Sequence, residues 1–165
     1  MAQRRNLAAS VRQRLLNASR TRREDFQVTL TRYALERLLY RLSQSSYRDQ
    51  FIIKGAMLFS LWSESPHRPT RDLDLLSFGA SDIARLEATF REIIKIEVEP
   101  DGLEFVADTV RGGRIKEEQE YEGVRLNLQA RLEQARISLQ VDIGFGDSVT
   151  PAPDEIEYPL SLIHI

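Results

Sequence analysis

The chain has 165 residues, 42% of them hydrophobic and 29% charged, and a formal net charge of −2. That size supports one domain with its own core, and the balance excludes a wholly disordered chain. With no cysteine and only His67 and His164, disulfides, thiolate zinc sites and multi-histidine sites are excluded, so any metal site must use oxygen ligands, which points to Mg²⁺ or Mn²⁺.

No apolar run approaches the roughly 20 residues that span a bilayer, so no membrane partner is expected. The absence of cysteine fits a reducing cytoplasm, and a cytoplasmic location is the expectation. The net charge hides an asymmetry. Arg4, Arg5, Arg12, Arg14, Arg20, Arg22, Arg23, Arg32, Arg37, Arg41 and Arg48 face only Glu24, Asp25 and Glu36 over the same stretch. Such a split suggests a basic surface for a polyanion beside a separate acidic centre; the plainer reading is a solvated helix face. The Arg-rich, acid-free start also fits a transit peptide, but its helical pattern runs on without a cleavage-like break.

Residues near 3–18 place Leu7, Val11, Leu15 and Leu16 at helical spacing and form one amphipathic helix. Residues near 24–45 form a second, striped by Phe26, Leu30, Tyr33, Leu35, Leu38, Leu39 and Leu42, with Thr21 or Thr29 as the expected cap. Ser45 and Ser46 mark a break. Phe51-Ile52-Ile53 is a short strand-like run, Lys54-Gly55 a turn, and Ala56–Leu61 an apolar helix ending near Trp62. Ser63–Pro69 is a loop. Asp72-Leu73-Asp74-Leu75-Leu76 alternates as a strand, with both aspartates on one side.

Ser81 or Asp82 starts a helix to about Ile96, with Ile83, Leu86, Phe90, Ile93 and Ile94 inward. Phe105-Val106-Ala107 and Val110 read as a strand, and Gly112-Gly113 as a turn or loop. Gly123–Arg131 alternates Val124, Leu126 and Leu128 against Arg125, Asn127 and Gln129. Ile137–Ile143 alternates likewise, so these two strands pair as a hairpin and Asp142 faces away from Val141 and Ile143. From Asp147 the chain holds Pro151, Pro153 and Pro159 and loses periodicity. An apolar ending after a Pro-rich linker reads as a fragment rather than a finished domain. The expected organisation is a helical segment over 1–48, a core over 49–147 and the linker over 148–165.

Chemistry concentrates in residues 51–76 and 141–147. Two carboxylates two residues apart on a strand project together, and like charges at that spacing favour a bound cation. A divalent ion there bridges nucleotide phosphate oxygens, and a third carboxylate, Asp142, completes the cage and can orient or deprotonate an attacking hydroxyl. Upstream, the Lys54-Gly55 turn offers backbone N–H groups to phosphate. Arg68, Thr70 and Arg71 lead into the acidic pair and suit a triphosphate. Taken singly, each piece has a plain structural reading. Solvent-facing strand carboxylates explain Asp72 and Asp74, turn chemistry explains Asp147, core packing explains Phe59 and Trp62, and a surface loop explains His67. The ordered set is more specific than its parts.

That set resembles the AbiEii/AbiGii-type toxins, nucleotidyltransferases of the DNA polymerase β-like superfamily. The superfamily pattern is Gly followed by Gly or Ser, then Asp-x-Asp or Asp-x-Glu, then a distal Asp. Gly55-Ala56 stands in place of the first element, Asp72 and Asp74 match the acidic pair, and Asp142 matches the distal Asp. Ala56 departs from the pattern and removes a hydroxyl. The Arg68, Thr70 and Arg71 lead-in and the helical segment TLTRYALERLLYRLSQS also resemble the toxin group. The resemblance implies an α+β (α/β) nucleotidyltransferase fold with N-terminal helices packed on a mixed sheet. It implies transfer of a nucleoside monophosphate from an NTP to an acceptor, by analogy RNA and the tRNA 3′ end. It implies, too, a toxin of a toxin–antitoxin or abortive-infection pair with a cognate antitoxin. Other readings share the residues: a nucleotide-binding module without turnover, an enzyme modifying a small molecule or a protein, and a basic RNA-binding helical protein with an incidental triad.

Overall fold

The computed structural model describes residues 2–54, 72–78, 81–116 and 122–145. Their elements are α1 (Ala2–Arg22), α2 (Phe26–Ser43), a 3₁₀ turn (Arg48–Gln50), β1 (Phe51–Lys54), β2 (Asp72–Ser77), α3 (Ile83–Ile94), β3 (Leu103–Lys116), β4 (Glu122–Leu132) and β5 (Ala135–Phe145). The fold is α+β. The strands form one mixed sheet in the order β1-β2-β5-β4-β3. All neighbours are antiparallel except β2 and β5, which run parallel. No described helix is long and apolar enough to cross a membrane.

Strand alternation decides which face the helices cover. Leu73, Leu75, Val124, Leu126, Leu128, Ile137, Leu139, Val141 and Ile143 are all at most 2% exposed. Register places them side by side: Leu73 with Val141 and Leu126, Leu75 with Ile143 and Val124. They join Leu30, Leu35 and Leu38 of α2, Leu86, Phe90 and Ile93 of α3, and Leu15 of α1 in one core. Phe51 of β1 meets Phe90 edge to face, with centroids 5.7 Å apart. The described helices therefore leave the other sheet face uncovered, and that face carries the polar phase of β2, β4 and β5.

The helix starts are set by aspartates. Asp25, not Thr21 or Thr29, caps α2: its carboxylate accepts the Gln27 N–H at 2.7 Å. Only a side chain immediately before the first turn reaches those free N–H groups. Thr29 instead donates to Glu24 and Thr21 to the Asn17 carbonyl. Asp82 caps α3 through the Ala84 N–H.

Gly112 and Gly113 lie inside β3, not in a turn. They pair with Leu126 and Arg125, and the β3–β4 ladder continues to Lys116 opposite Glu122. Cross-strand pairing satisfies their backbone groups and overrides the local preference of a Gly pair for a turn. The irregularity falls earlier, between Val106 and Arg111. There the Thr109 hydroxyl accepts the Gln129 N–H at 2.9 Å and donates to the Val106 carbonyl, replacing a ladder bond.

Two arginines of the basic N-terminal stretch are committed to the interior. Arg37 and Arg41, one turn apart on α2, converge on Asp101, each at 2.8 Å. Arg41 adds a second bond at 3.2 Å, and the Leu103 N–H donates to the same carboxylate at 3.1 Å. Tyr33 donates to the Asp101 carbonyl. Gly102 follows in the left-handed region at φ 81, where a Cβ would sit 3.2 Å from the Ala8 backbone. Burial opposes ionisation of Asp101, yet its bonds to Arg41 and Arg37 hold its carboxyl below the usual carboxylate range. Burial, reinforced by the Asp101 charge, pushes the Tyr33 hydroxyl up to about 12.

Candidate active site

On β2 the burial alternates: Leu73 and Leu75 enter the core, while Asp72 and Asp74 are half-buried on the face that the described helices leave open. The parallel partner β5 alternates in the same phase, so Asp142 shares that face. Register makes the match closer. Asp74 sits directly opposite Asp142, and Asp72 opposite Gln140. Adjacent strands lie about 4.8 Å apart, which brings the two aspartates within reach of a common partner.

Pairing extends this row across the sheet as Lys54, Asp74, Asp142, Arg125 and Gly113. Lys54 closes β1 at the register position opposite Asp74. Gly55, Ala56, Arg68, Thr70 and Arg71 lie outside the described residues, as do Phe59, Trp62, His67 and Asp147.

Arg125 joins the site without having been a candidate from the sequence. Its guanidinium grips Asp142 in fork fashion, Nε to Oδ1 at 2.9 Å and the second nitrogen to Oδ2 at 3.2 Å. Gln140 reaches the same Oδ2 at 3.4 Å. The bond to Asp142 raises the Arg125 pKa above its usual value, the Asp142 charge adds to it, and the charges of Asp72 and Asp74 reinforce it further. Arg125 thus stands in the field of all three carboxylates. A signal for it existed. The hairpin turn between β4 and β5 is only Glu133-Gln134, with Glu133 in the left-handed region at φ 57. Counting outward from that turn pairs Arg125 with Asp142.

The arrangement is a line of acids flanked by cationic residues at both register ends. Among the described residues no three carboxylates converge into a metal-holding cluster, and both oxygens of Asp142 are bonded to Arg125. The donor chemistry still suits a hard divalent ion, since all three groups are carboxylates on neighbouring strands of one face. Arg125 supplies the positive charge in this structure.

Residues 37–165 match the family described as nucleotidyl transferase AbiEii toxin, type IV toxin–antitoxin system. The match spans the sheet and every candidate position from Lys54 to Asp142. No characterised protein and no solved structure gives a significant match.

Proposed function

Because the chain belongs to the AbiEii family of nucleotidyl transferase toxins of type IV toxin–antitoxin systems, we propose that it transfers a nucleoside monophosphate from an NTP to an RNA acceptor, with Asp72, Asp74 and Asp142 as the acidic centre. The observation that carries this reading is the parallel, in-register pairing of Asp74 with Asp142, with Asp72 on the same face. The family's character implies an NTP substrate and a cognate antitoxin.

Asp72, Asp74 and Asp142 would hold Mg²⁺ or Mn²⁺. When bound, the ion supplies charge neutralisation at the carboxylates and Lewis-acid polarisation of the reacting phosphate. Asp142 also orients the acceptor hydroxyl and takes its proton. The acceptor oxygen bonds to the α-phosphorus, the bond from that phosphorus to the oxygen bridging the β-phosphate breaks, and pyrophosphate leaves with the electron pair. Lys54, Gly55 and Ala56, with Arg68, Thr70 and Arg71 preceding the acidic pair in sequence, receive the triphosphate. Such a site works mainly by positioning and by fixed charge.

The test is incubation of the full chain with each α-labelled NTP, Mg²⁺ and total RNA. Label is expected in RNA and is expected to vanish in Asp72→Ala plus Asp74→Ala. Transfer unchanged in that double variant would refute the acidic centre. Label in protein or in a small-molecule fraction would replace RNA as the acceptor, and nucleotide retention without turnover would make the chain a binding module.

A further inference from the structure

A shallow cleft of about 400 Å³ opens over β3 and β4, lined by Arg111–Ile115 of β3 and by Arg125 and Asn127 of β4. Among the described residues no carboxylate lines it. Arg111, Arg114 and Arg125 are exposed, and β3 is the last strand in the sheet order. An open, Arg-rich groove beside a sheet edge suits a chain of phosphates rather than an enclosed apolar ligand.

The two glycines behave differently. Gly112 has a packing reason: a Cβ there would meet Ile83 Cγ2 at 2.8 Å and Leu126 Cδ2 at 3.0 Å. Gly113 has none, since a Cβ would meet nothing within 4 Å, and its φ lies outside the left-handed range. A mid-strand glycine that neither packing nor φ requires leaves the strand open to close approach by a ligand or another backbone. At Gly113 that opening is the floor of the cleft.

The cleft is joined to the acidic row through Arg125, which lines it and also grips Asp142 at 2.9 Å. Along the row, Lys54 lies on one side of the acids and Arg125 with Gly113 on the other. The inference rests on the nucleotidyl-transfer reading above, which assigns the triphosphate to the Lys54 side. The acceptor must then reach Asp142 from the opposite side.

We propose that the β3–β4 cleft holds the phosphate backbone of the acceptor RNA just before its reacting end. Arg111, opposite Asn127, shares with Arg125 the sheet face that carries Asp142, while Arg114, opposite the core residue Val124, stands on the alternate phase of the edge strand. Arg125 is shared: a phosphate in the cleft competes with Asp142 for the same guanidinium, and its arrival releases the carboxylate to the reacting hydroxyl.

The test measures binding, separately from turnover. A short single-stranded RNA labelled at its 5′ end is titrated with the full chain across a range of salt concentrations, and a labelled NTP is titrated in parallel. Arg111→Ala plus Arg114→Ala changes exposed positions only, and a thermal melt confirms the fold. Its RNA affinity is expected to drop roughly 10- to 100-fold, and its salt slope to shrink by about 0.7 for each phosphate that the variant no longer neutralises. NTP affinity is expected to hold. Gly113→Val keeps every charge while filling the floor, and it is expected to weaken RNA binding several-fold with the melt unchanged. The proposal is overturned if the wild-type chain does not bind the RNA, if the double variant binds it as well as wild type, or if NTP binding falls in parallel. Loss of transfer without loss of RNA binding in the Asp72→Ala plus Asp74→Ala protein bears on the catalytic reading alone.

Discussion

The molecule contains two arginine–carboxylate clusters built from the same chemistry in opposite surroundings. Around Asp101, the side chains of Arg37 and Asp101 are 5% and 6% exposed. Around Asp142, Arg125 and its partner are 45% and 21% exposed. In the first, two guanidiniums and a backbone N–H enclose one carboxylate, and none of them can exchange partners without leaving a buried charge. In the second, water and a ligand can compete for either partner. Burial turns one pair into a fastener that ties α2 to the start of β3. Exposure leaves the other open to trade its partner, as the role proposed for Asp142 requires.

The largest effect expected follows from breaking the buried cluster. Asp101→Asn leaves Arg37 and Arg41 without a counter-ion and is expected to cost about 3–5 kcal/mol, enough to unfold a marginal domain. Asp142→Asn is expected to stay within about 1 kcal/mol of wild type while abolishing transfer. Urea unfolding of both proteins checks this, and equal losses of stability would erase the contrast.

Proton linkage gives the next effect. Asp101 is held below its ordinary value when folded, so its contribution is complete above the unfolded carboxylate value of about 3.9 and is lost as pH falls through the lower folded value. Tyr33 has the opposite sign. Its folded value is raised to about 12, so its contribution is present below the ordinary value of 10.0 and fades as pH rises from there toward 12. Stability measured against pH should thus fall at both ends. Tyr33→Phe is expected to cost about 1 kcal/mol at neutral pH by removing the hydrogen bond, and to remove the Tyr33 part of the alkaline decline. An alkaline decline identical in that variant would assign it to other groups.

The same contrast explains what the sequence made legible. The α2 stripe, the β2 alternation and the phase of Asp142 all come from burial patterns within ten or so residues, and periodicity exposes them directly. Arg37 and Arg41 read as part of a basic surface because Asp101 lies 60 or more positions away. Locally, Glu99-Pro100-Asp101-Gly102 looks like an ordinary turn, so nothing marks Asp101 as the partner. Gly112-Gly113 misleads for the same reason: a neighbouring strand, absent from any local window, decides their conformation. Arg125 is half legible. Its phase is visible in the alternation, but its partner requires the β4–β5 register, and the Glu133-Gln134 turn lacks the usual Asn-Gly or Asp-Gly signature.

The smallest effect discriminates most finely between fastener and exchangeable partner. Arg125→Met removes the guanidinium from Asp142 but keeps the aliphatic stem against the sheet. If the bridge is exchangeable, the urea midpoint should move by less than the equivalent of about 1 kcal/mol, and high salt should shrink the difference. The acidic row should respond in the other direction. Arg125 competes with any cation for the oxygens of Asp142, and its charge opposes a cation beside Asp74. Its removal should therefore tighten Mn²⁺ binding a few-fold, read by titration calorimetry without nucleotide. The acceptor side should weaken, because the same residue lines the cleft. Tighter Mn²⁺ together with weaker RNA binding is the signature of one arginine exchanged between two partners. Weaker Mn²⁺ binding would instead mean that Arg125 holds Asp142 in place for the metal, and a loss of several kcal/mol would make this pair a second fastener.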